Sequence, residues 1–168
     1  MDATCDILVA VAHPDDAEFG AAGSVARWAA EGKSVVYVVC TNGDKGTSDR
    51  RMSPQELAKI RQEEQVNAAR VLGVHNVVFL DMIDQQLEDT PAFRETIVQL
   101  IRRFQPEIVL SSDPYRRYLW HRDHRIVGQV VMDALYPYAR DHMAYPELLE
   151  KGLEPHKVKV ALFFGAED

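Results

Sequence analysis

The chain has 168 residues, 46% hydrophobic and 27% charged, with a formal net charge of −7. That length suits one domain with a real core, and the acidic balance argues against gripping a nucleic-acid backbone, which needs a basic footprint. No apolar run approaches the ~20 residues of a membrane span, and the first residues lack the basic and apolar parts of a signal peptide.

Ile7–Ala12 is a continuous apolar run and reads as a fully buried strand. His13, Asp15 and Asp16 follow on a turn that leads into a helix ending at Glu31-Gly32. In open parallel sheets, ligands bind at the C-terminal edge of the strands. An imidazole and a carboxylate three residues apart can converge there on a divalent metal, which turns Asp15 toward whatever the metal binds. Gly20-Ala21-Ala22-Gly23 lacks the full dinucleotide fingerprint and reads as small residues for helix–sheet packing. Cys5 and Cys40 read as buried thiols, and a reducing cytoplasm fits them.

Ser34–Cys40 is the second expected strand, and Thr41–Ser48 after it is either a connection or a flap over the site. Pro54–Leu72 reads as a long helix, with Ser53 as its N-cap and Gly73 at its end. Leu57, Ile60, Val66, Ala69 and Leu72 are its expected inner positions, and Arg61 and Glu64 read as a surface ion pair. Asn76–Leu80 is the third strand, after which Asp81 and Asp84 are turn residues or contacts for a hydroxylated substrate. His75 lies at the other end of that strand and is expected on the surface, as are His142 and His156.

Pro91–Phe104 reads as a helix facing inward through Phe93, Ile97, Leu100 and Ile101, and Pro106–Ser111 as the fourth strand. An aromatic and basic loop, residues 113–120, then delivers His121-Arg122-Asp123-His124 into a helix that continues to Leu135. His121 and His124, three apart, share a face of that helix. Arg116, Arg117, Arg122 and Arg125 crowd this motif. They form an ion-pair network or hold an anion, and Arg116 and Arg117 are the better placed for substrate. Lys157–Gly165 is the fifth expected strand.

Ala12-His13-Pro14-Asp15-Asp16, taken with His121-Arg122-Asp123-His124, resembles the motif pair of the PIG-L (LmbE-like) de-N-acetylases. These are zinc hydrolases that remove acetyl from N-acetylglucosamine-type groups. The resemblance runs from Asp6 to about Phe164. It implies a single domain over residues 1–168, where members usually continue further, and a homo-oligomer is compatible with it. Together with the alternating strands and helices, it leads us to expect a three-layer, Rossmann-like α/β fold. The sheet would be mostly parallel, with the site at the strand C-termini.

Carried over by position, His13, Asp16 and His124 would hold one Zn²⁺, Asp15 would be the general base, and His121 would stabilise the oxyanion. Arg61 and Asp84 would touch an N-acetylated amino sugar conjugate. Two departures bear on which conjugate that is. Arg122 stands where members often have proline, and Arg116-Arg117-Tyr118-Leu119-Trp120 replaces a glycine-rich approach.

The chemistry is coherent without the family. Two imidazoles and one carboxylate leave zinc an open position, where a bound water has a pKa near ~7. Asp15 can take its proton as it attacks an amide carbonyl, and Asp123 can orient a neighbouring imidazole. Two other readings stay open. One is a non-catalytic sugar- or nucleotide-binding module on the same fold. The other is a non-haem Fe(II) oxygenase, which the alternation of helices with strands disfavours.

Overall fold

The computed structural model describes residues 4–166. Five strands form one parallel sheet: β1 (Ile7–Val11), β2 (Val35–Thr41), β3 (Asn76–Met82), β4 (Ile108–Ser112) and β5 (Val160–Phe164), in spatial order β3-β2-β1-β4-β5. The principal helices are α1 (Asp16–Ala30), α2 (Pro54–Leu72), α3 (Pro91–Phe104) and α4 (Arg122–Leu135). A 3-10 turn at Tyr138–Arg140 and a short helix, α5 (Glu147–Glu150), precede β5. The expected three-layer fold is therefore the observed one. No described helix is long and apolar enough to cross a membrane.

Alternation along the central strands explains the layers. Leu8, Ala10, Val36 and Val38 point into one apolar cluster with Phe93, Ile97 and Ile101 of α3 and Val127, Val130 and Val131 of α4. Ile7, Val9, Val35 and Tyr37 point the other way, into a cluster with Ala17, Ala21 and Val25 of α1 and Ala69 of α2. Both faces of β1 and β2 are covered, which is why these strands are apolar throughout rather than alternating. Cys5 and Cys40 are buried free thiols, and burial pushes both thiol pKa values up, Cys5 to about 12.

Several boundaries shift from expectation. β3 extends two residues further than expected, to Met82, across an irregular register with β2. This places Asp81 in a strand, where its Oδ1 accepts from Gln62 of α2, away from the histidines. β5 is shorter than expected. His156 is not a free surface residue: its ring donates to the Pro106 carbonyl at 2.7 Å. His75 and His142 are exposed as expected.

α2 begins as its sequence predicts, with Ser53 accepting from Glu56 N at 3.2 Å, and ends at Gly73 in a left-handed conformation. Its inner face differs from expectation. Ile60 and Val66 are 38% and 39% exposed, whereas Gln65 is 2% exposed. The helix is rotated so that Leu57, Arg61, Gln65 and Ala69, each four residues apart, face the molecule.

Chain reversal occurs beside β1. From β1 the chain steps outward to β2 and β3, then returns across the sheet to β4 on the other side. The C-terminal ends of β1 and β4 thus flank the switch point where open α/β sheets bind ligands. Gly128 lets α4 approach this edge. A Cβ there would collide with the Ser112 carbonyl and stand 3.0 Å from Pro114 N. Both obstacles are backbone and cannot swing away. Gly128→Ala is therefore expected to destabilise the chain by about 1–3 kcal/mol, readable as a lowered Tm. A Tm equal to wild type would show that α4 does not lie this close.

Candidate metal centre

The turn after β1 is shaped by its own polar groups. Asp16 is the first residue of α1, and its Oδ2 accepts from the His13 backbone N–H at 2.8 Å. Asp15 before it takes φ 87°, a left-handed conformation uncommon for a non-glycine residue. Such strain persists only where surrounding contacts over-determine it. Here Gln65 accepts from Asp15 N at 2.8 Å, and Arg61 donates to the Pro14 carbonyl at 2.6 Å and to Asp15 Oδ2 at 3.0 Å. Arg61 also donates to the Gly43 carbonyl. A Cβ on Gly43 would strike the guanidinium, and one on Gly46 would approach it to 2.6 Å. The loop after β2 therefore packs into the site and supports Arg61. It is not a free flap, and Arg61 is committed to the Asp15 turn instead of pairing on the surface.

α4 supplies the other half. Three donors meet above the switch point. His13 Nδ1 lies 3.3 Å from His124 Nε2 and 3.3 Å from Asp16 Oδ2, and His124 Nε2 lies 3.0 Å from Asp16 Oδ1. Tetrahedral zinc bonds of ~2.0–2.1 Å separate neighbouring ligand atoms by about 3.3–3.4 Å. The donor set of two nitrogens and a carboxylate, and its spacing, fit such an ion.

The far side of the His13 ring shows which nitrogen is available. Nε2 faces Asp123 Oδ2 at 3.3 Å and Asp84 Oδ1 at 3.1 Å. These carboxylates hold a proton on Nε2 and direct the Nδ1 lone pair at the triad, as carboxylate–histidine–metal arrangements do. Asp123 is fully buried, and its Oδ2 also accepts from Gln85 N at 2.7 Å. Asp84 is buried too, with Lys45 donating to it from the loop after β2.

Burial opposes charge on His13, but hydrogen bonds with Asp16 and Asp84 outweigh it and raise its pKa to about 10. Burial likewise works against the Asp16 carboxylate, yet His124 and His13 hold its pKa well below the usual range. In the metal-free protein an imidazolium–carboxylate pair thus occupies the place of an ion. A metal bound there would displace a proton from His13.

His121 stands at the rim. Its Nδ1 accepts from Asp123 N at 3.1 Å and caps α4, and its ring centroid is 4.5 Å from that of His13. With Nδ1 accepting, the proton of the neutral ring sits on Nε2. Burial, then the neighbouring charge of His13, lowers the His121 pKa. The Asp15 carboxyl is raised by burial, with Arg61 opposing.

A family model described as PIG-L, GlcNAc-PI de-N-acetylase, matches residues 8–135. The chain belongs to the PIG-L family. Diacetylchitobiose deacetylase of Thermococcus kodakarensis is 35% identical to this PIG-L chain over 158 residues, covering 94% of the chain and 59% of the relative. Among solved structures, N,N'-diacetylchitobiose deacetylase of Pyrococcus horikoshii superposes with a TM-score of 0.91 at 30% identity, covering 97% of this chain and 61% of that one. The 4-carboxy-2-hydroxymuconate hydratase of Pseudomonas putida superposes with a TM-score of 0.73 at 27% identity, covering 84% and 58%. The chain thus spans about three fifths of the length of these relatives.

The residues singled out in the sequence fall into three groups. His13, Asp16 and His124 meet, and Asp15, His121 and Asp123 surround them. Arg61, expected at substrate, holds Asp15, and Asp84, also expected there, faces His13. Arg116 lies over the Trp120 ring at 4.4 Å and lines a cavity beside the triad, whereas Arg117 is exposed. Arg122 pairs with Glu88 at 2.8 Å, and Arg125 donates to the Trp120 and Tyr118 carbonyls. Sequence reasoning missed Gln65 and Lys45. Gln65 follows Arg61 by four residues on a helix, which was the available signal. Nothing local marked Lys45.

Proposed function

We propose that the chain is a zinc-dependent N-deacetylase acting on an N-acetylated amino sugar or its conjugate. The observation that carries this reading is the convergence of His13, Asp16 and His124, with Asp15 beside them but outside the set. A divalent ion held by these three would supply a Lewis acid and lower the pKa of a nearby water.

The chain's own groups account for the proton movements. Arg61 occupies Asp15 Oδ2, which leaves Oδ1 to take a proton from the attacking water. His121 Nε2–H donates to the carbonyl oxygen as negative charge develops there, and it needs no positive charge of its own. The proton on Asp15 then passes to the amine nitrogen as the C–N bond breaks, giving acetate and a free amine.

A non-catalytic binding module would not need this outlay on Asp15. A strained backbone, held by the Gln65 amide through the Asp15 N–H, and the Arg61 guanidinium on the carboxylate together fix a residue that the donor set leaves out. The hydratase likeness shows that the fold also hosts water addition. Amide hydrolysis is favoured by the higher identity and fuller coverage of the diacetylchitobiose deacetylases. The zinc-loaded chain should release acetate and amine in equal amounts from N-acetylglucosamine or diacetylchitobiose, lose this activity with chelator, and regain it with zinc. No amine release from either sugar would overturn the proposal.

A further inference from the structure

Glu18 is a carboxylate that folding alone does not explain. It lies in the first turn of α1, two residues after Asp16. Its Oε1 accepts from Gln65 Nε2 at 3.0 Å, whereas its Oε2 is buried with no hydrogen-bond partner among the described residues. A buried oxygen left unpaired lowers stability. Negative charge at a helix N-terminus is favourable, but that effect needs only the charge and not this particular contact.

The contact leads to Asp15. Gln65 is buried between the two: its Nε2 donates to Glu18, and its Oε1 accepts from Asp15 N at 2.8 Å. A carboxylate can only accept, so Glu18 fixes which end of the amide faces it, and the Gln65 oxygen must then point at the Asp15 N–H. On the other side of the residue, the Asp15 carbonyl accepts from Phe19 N at 3.0 Å. Holding the peptide group on each side of the Asp15 Cα fixes the direction of its Cβ, at a φ of 87° that a non-glycine residue rarely adopts. Packing does not do this. A cavity of about 100 Å³ lies among Pro14, Asp15, Glu18, Arg61 and Gln65, so the turn is held by hydrogen bonds.

We propose that Glu18 is a positioning residue for the general base: acting through the Gln65 amide, it holds Asp15 in the backbone conformation that keeps its carboxylate beside His13, Asp16 and His124. The inference rests on the deacetylase reading and adds to it a side chain that lies outside the donor set. Arg61 holds the Asp15 carboxylate and the Pro14 carbonyl, and Glu18 with Gln65 holds the backbone between them. A catalytic group displaced by about 1 Å can lose about 10²-fold in rate, so a hold on backbone direction bears directly on turnover.

The test measures kcat, KM and zinc content of the zinc-loaded chain on N-acetylglucosamine and diacetylchitobiose. Gln65→Leu should lower kcat by about 10–100-fold and Glu18→Ala by about threefold to tenfold, each with KM within about twofold and one zinc per chain. Glu18→Gln removes the charge but keeps an oxygen for Gln65 Nε2, so it should restore most of what Glu18→Ala loses. In the Gln65→Leu background, Glu18→Ala should change kcat by less than about twofold, because its route to Asp15 is already gone. Amide hydrogen exchange of the metal-free protein gives a readout apart from turnover. The Asp15 N–H should exchange about tenfold faster or more in Gln65→Leu, and measurably faster in Glu18→Ala, while the His13 N–H held by Asp16 should not change. Wild-type kcat and Asp15 exchange in Glu18→Ala would overturn the proposal. So would losses that add in the double variant, or equal losses in Glu18→Gln and Glu18→Ala, which would leave Glu18 as a helix-end charge. Inactivity of the unmutated chain on both sugars would instead overturn the deacetylase reading, and the exchange rates would then judge the positioning by themselves.

Discussion

Replacing Asp15 by asparagine is expected to lower turnover by about 10²–10⁴-fold, the usual contribution of a positioned general base. The substitution keeps the shape of the side chain and removes its capacity to accept a proton. Asp15 lies outside the donor set, so zinc content should stay at one per chain. The fold should hold as well, because the backbone N–H to Gln65 and the Arg61 contact to the Pro14 carbonyl do not depend on the carboxylate. The loss should fall on kcat and kcat/KM alike, since the interaction is made during reaction and not on binding. Metal analysis beside steady-state kinetics checks this. Near-normal turnover in zinc-loaded Asp15→Asn protein would assign the base to another group.

Asp16→Ala should abolish metal retention and with it all activity. Asp16 holds both imidazoles, His13 from Oδ2 at 3.3 Å and His124 from Oδ1 at 3.0 Å. Its loss leaves two neutral donors, and affinity should drop by more than the roughly 10–100-fold typical of removing an outer hydrogen-bond partner. The metal-free protein offers a second readout. The His13 pKa, raised to about 10 in part by Asp16, should fall in the variant, as NMR titration would show.

The two shifts act on stability in opposite directions along the pH scale. A raised His13 pKa stabilises the fold below its unfolded value of ~6.5 and ceases to do so as pH rises through about 10. A lowered Asp16 pKa stabilises above its unfolded value of ~3.9 and ceases to do so as pH falls toward its depressed folded value. The stability cost of Asp16→Ala in the metal-free protein should therefore be fully expressed between about pH 4 and 6.5 and shrink on either side. Full zinc retention by the variant would remove Asp16 from the proposed donor set.

Much of the frame was legible along the chain. Ile7–Val11 and Val35–Val39 are apolar at every position because both faces of the sheet are covered, so their burial shows without knowledge of neighbours. Ser53, Pro54 and Gly73 mark the ends of α2 through local hydrogen bonding and backbone freedom. On α2, Leu57, Leu72 and Ala69 face inward as their periodicity predicts, whereas Ile60 and Val66 are exposed and Gln65 is buried in their stead. Burial there follows the need of Asp15 for a partner, which apolar periodicity does not record.

By itself, the sequence determined the strand–helix alternation, the two polar motifs at strand C-terminal ends, and the residue types able to hold a metal. These follow from local patterns, periods of 2 and 3.6 and short motif spacings, which operate within a few residues. Only the tertiary structure decided that β1 and β4 are neighbours, and so that His13 meets His124 across 111 positions of sequence. It also decided that Asp84 and Asp123 turn Nδ1 of His13 toward the site, and that Arg61 serves Asp15. Each of these depends on which elements the folded sheet brings side by side, and sheet order arises from the burial of all the strands together rather than from any one segment.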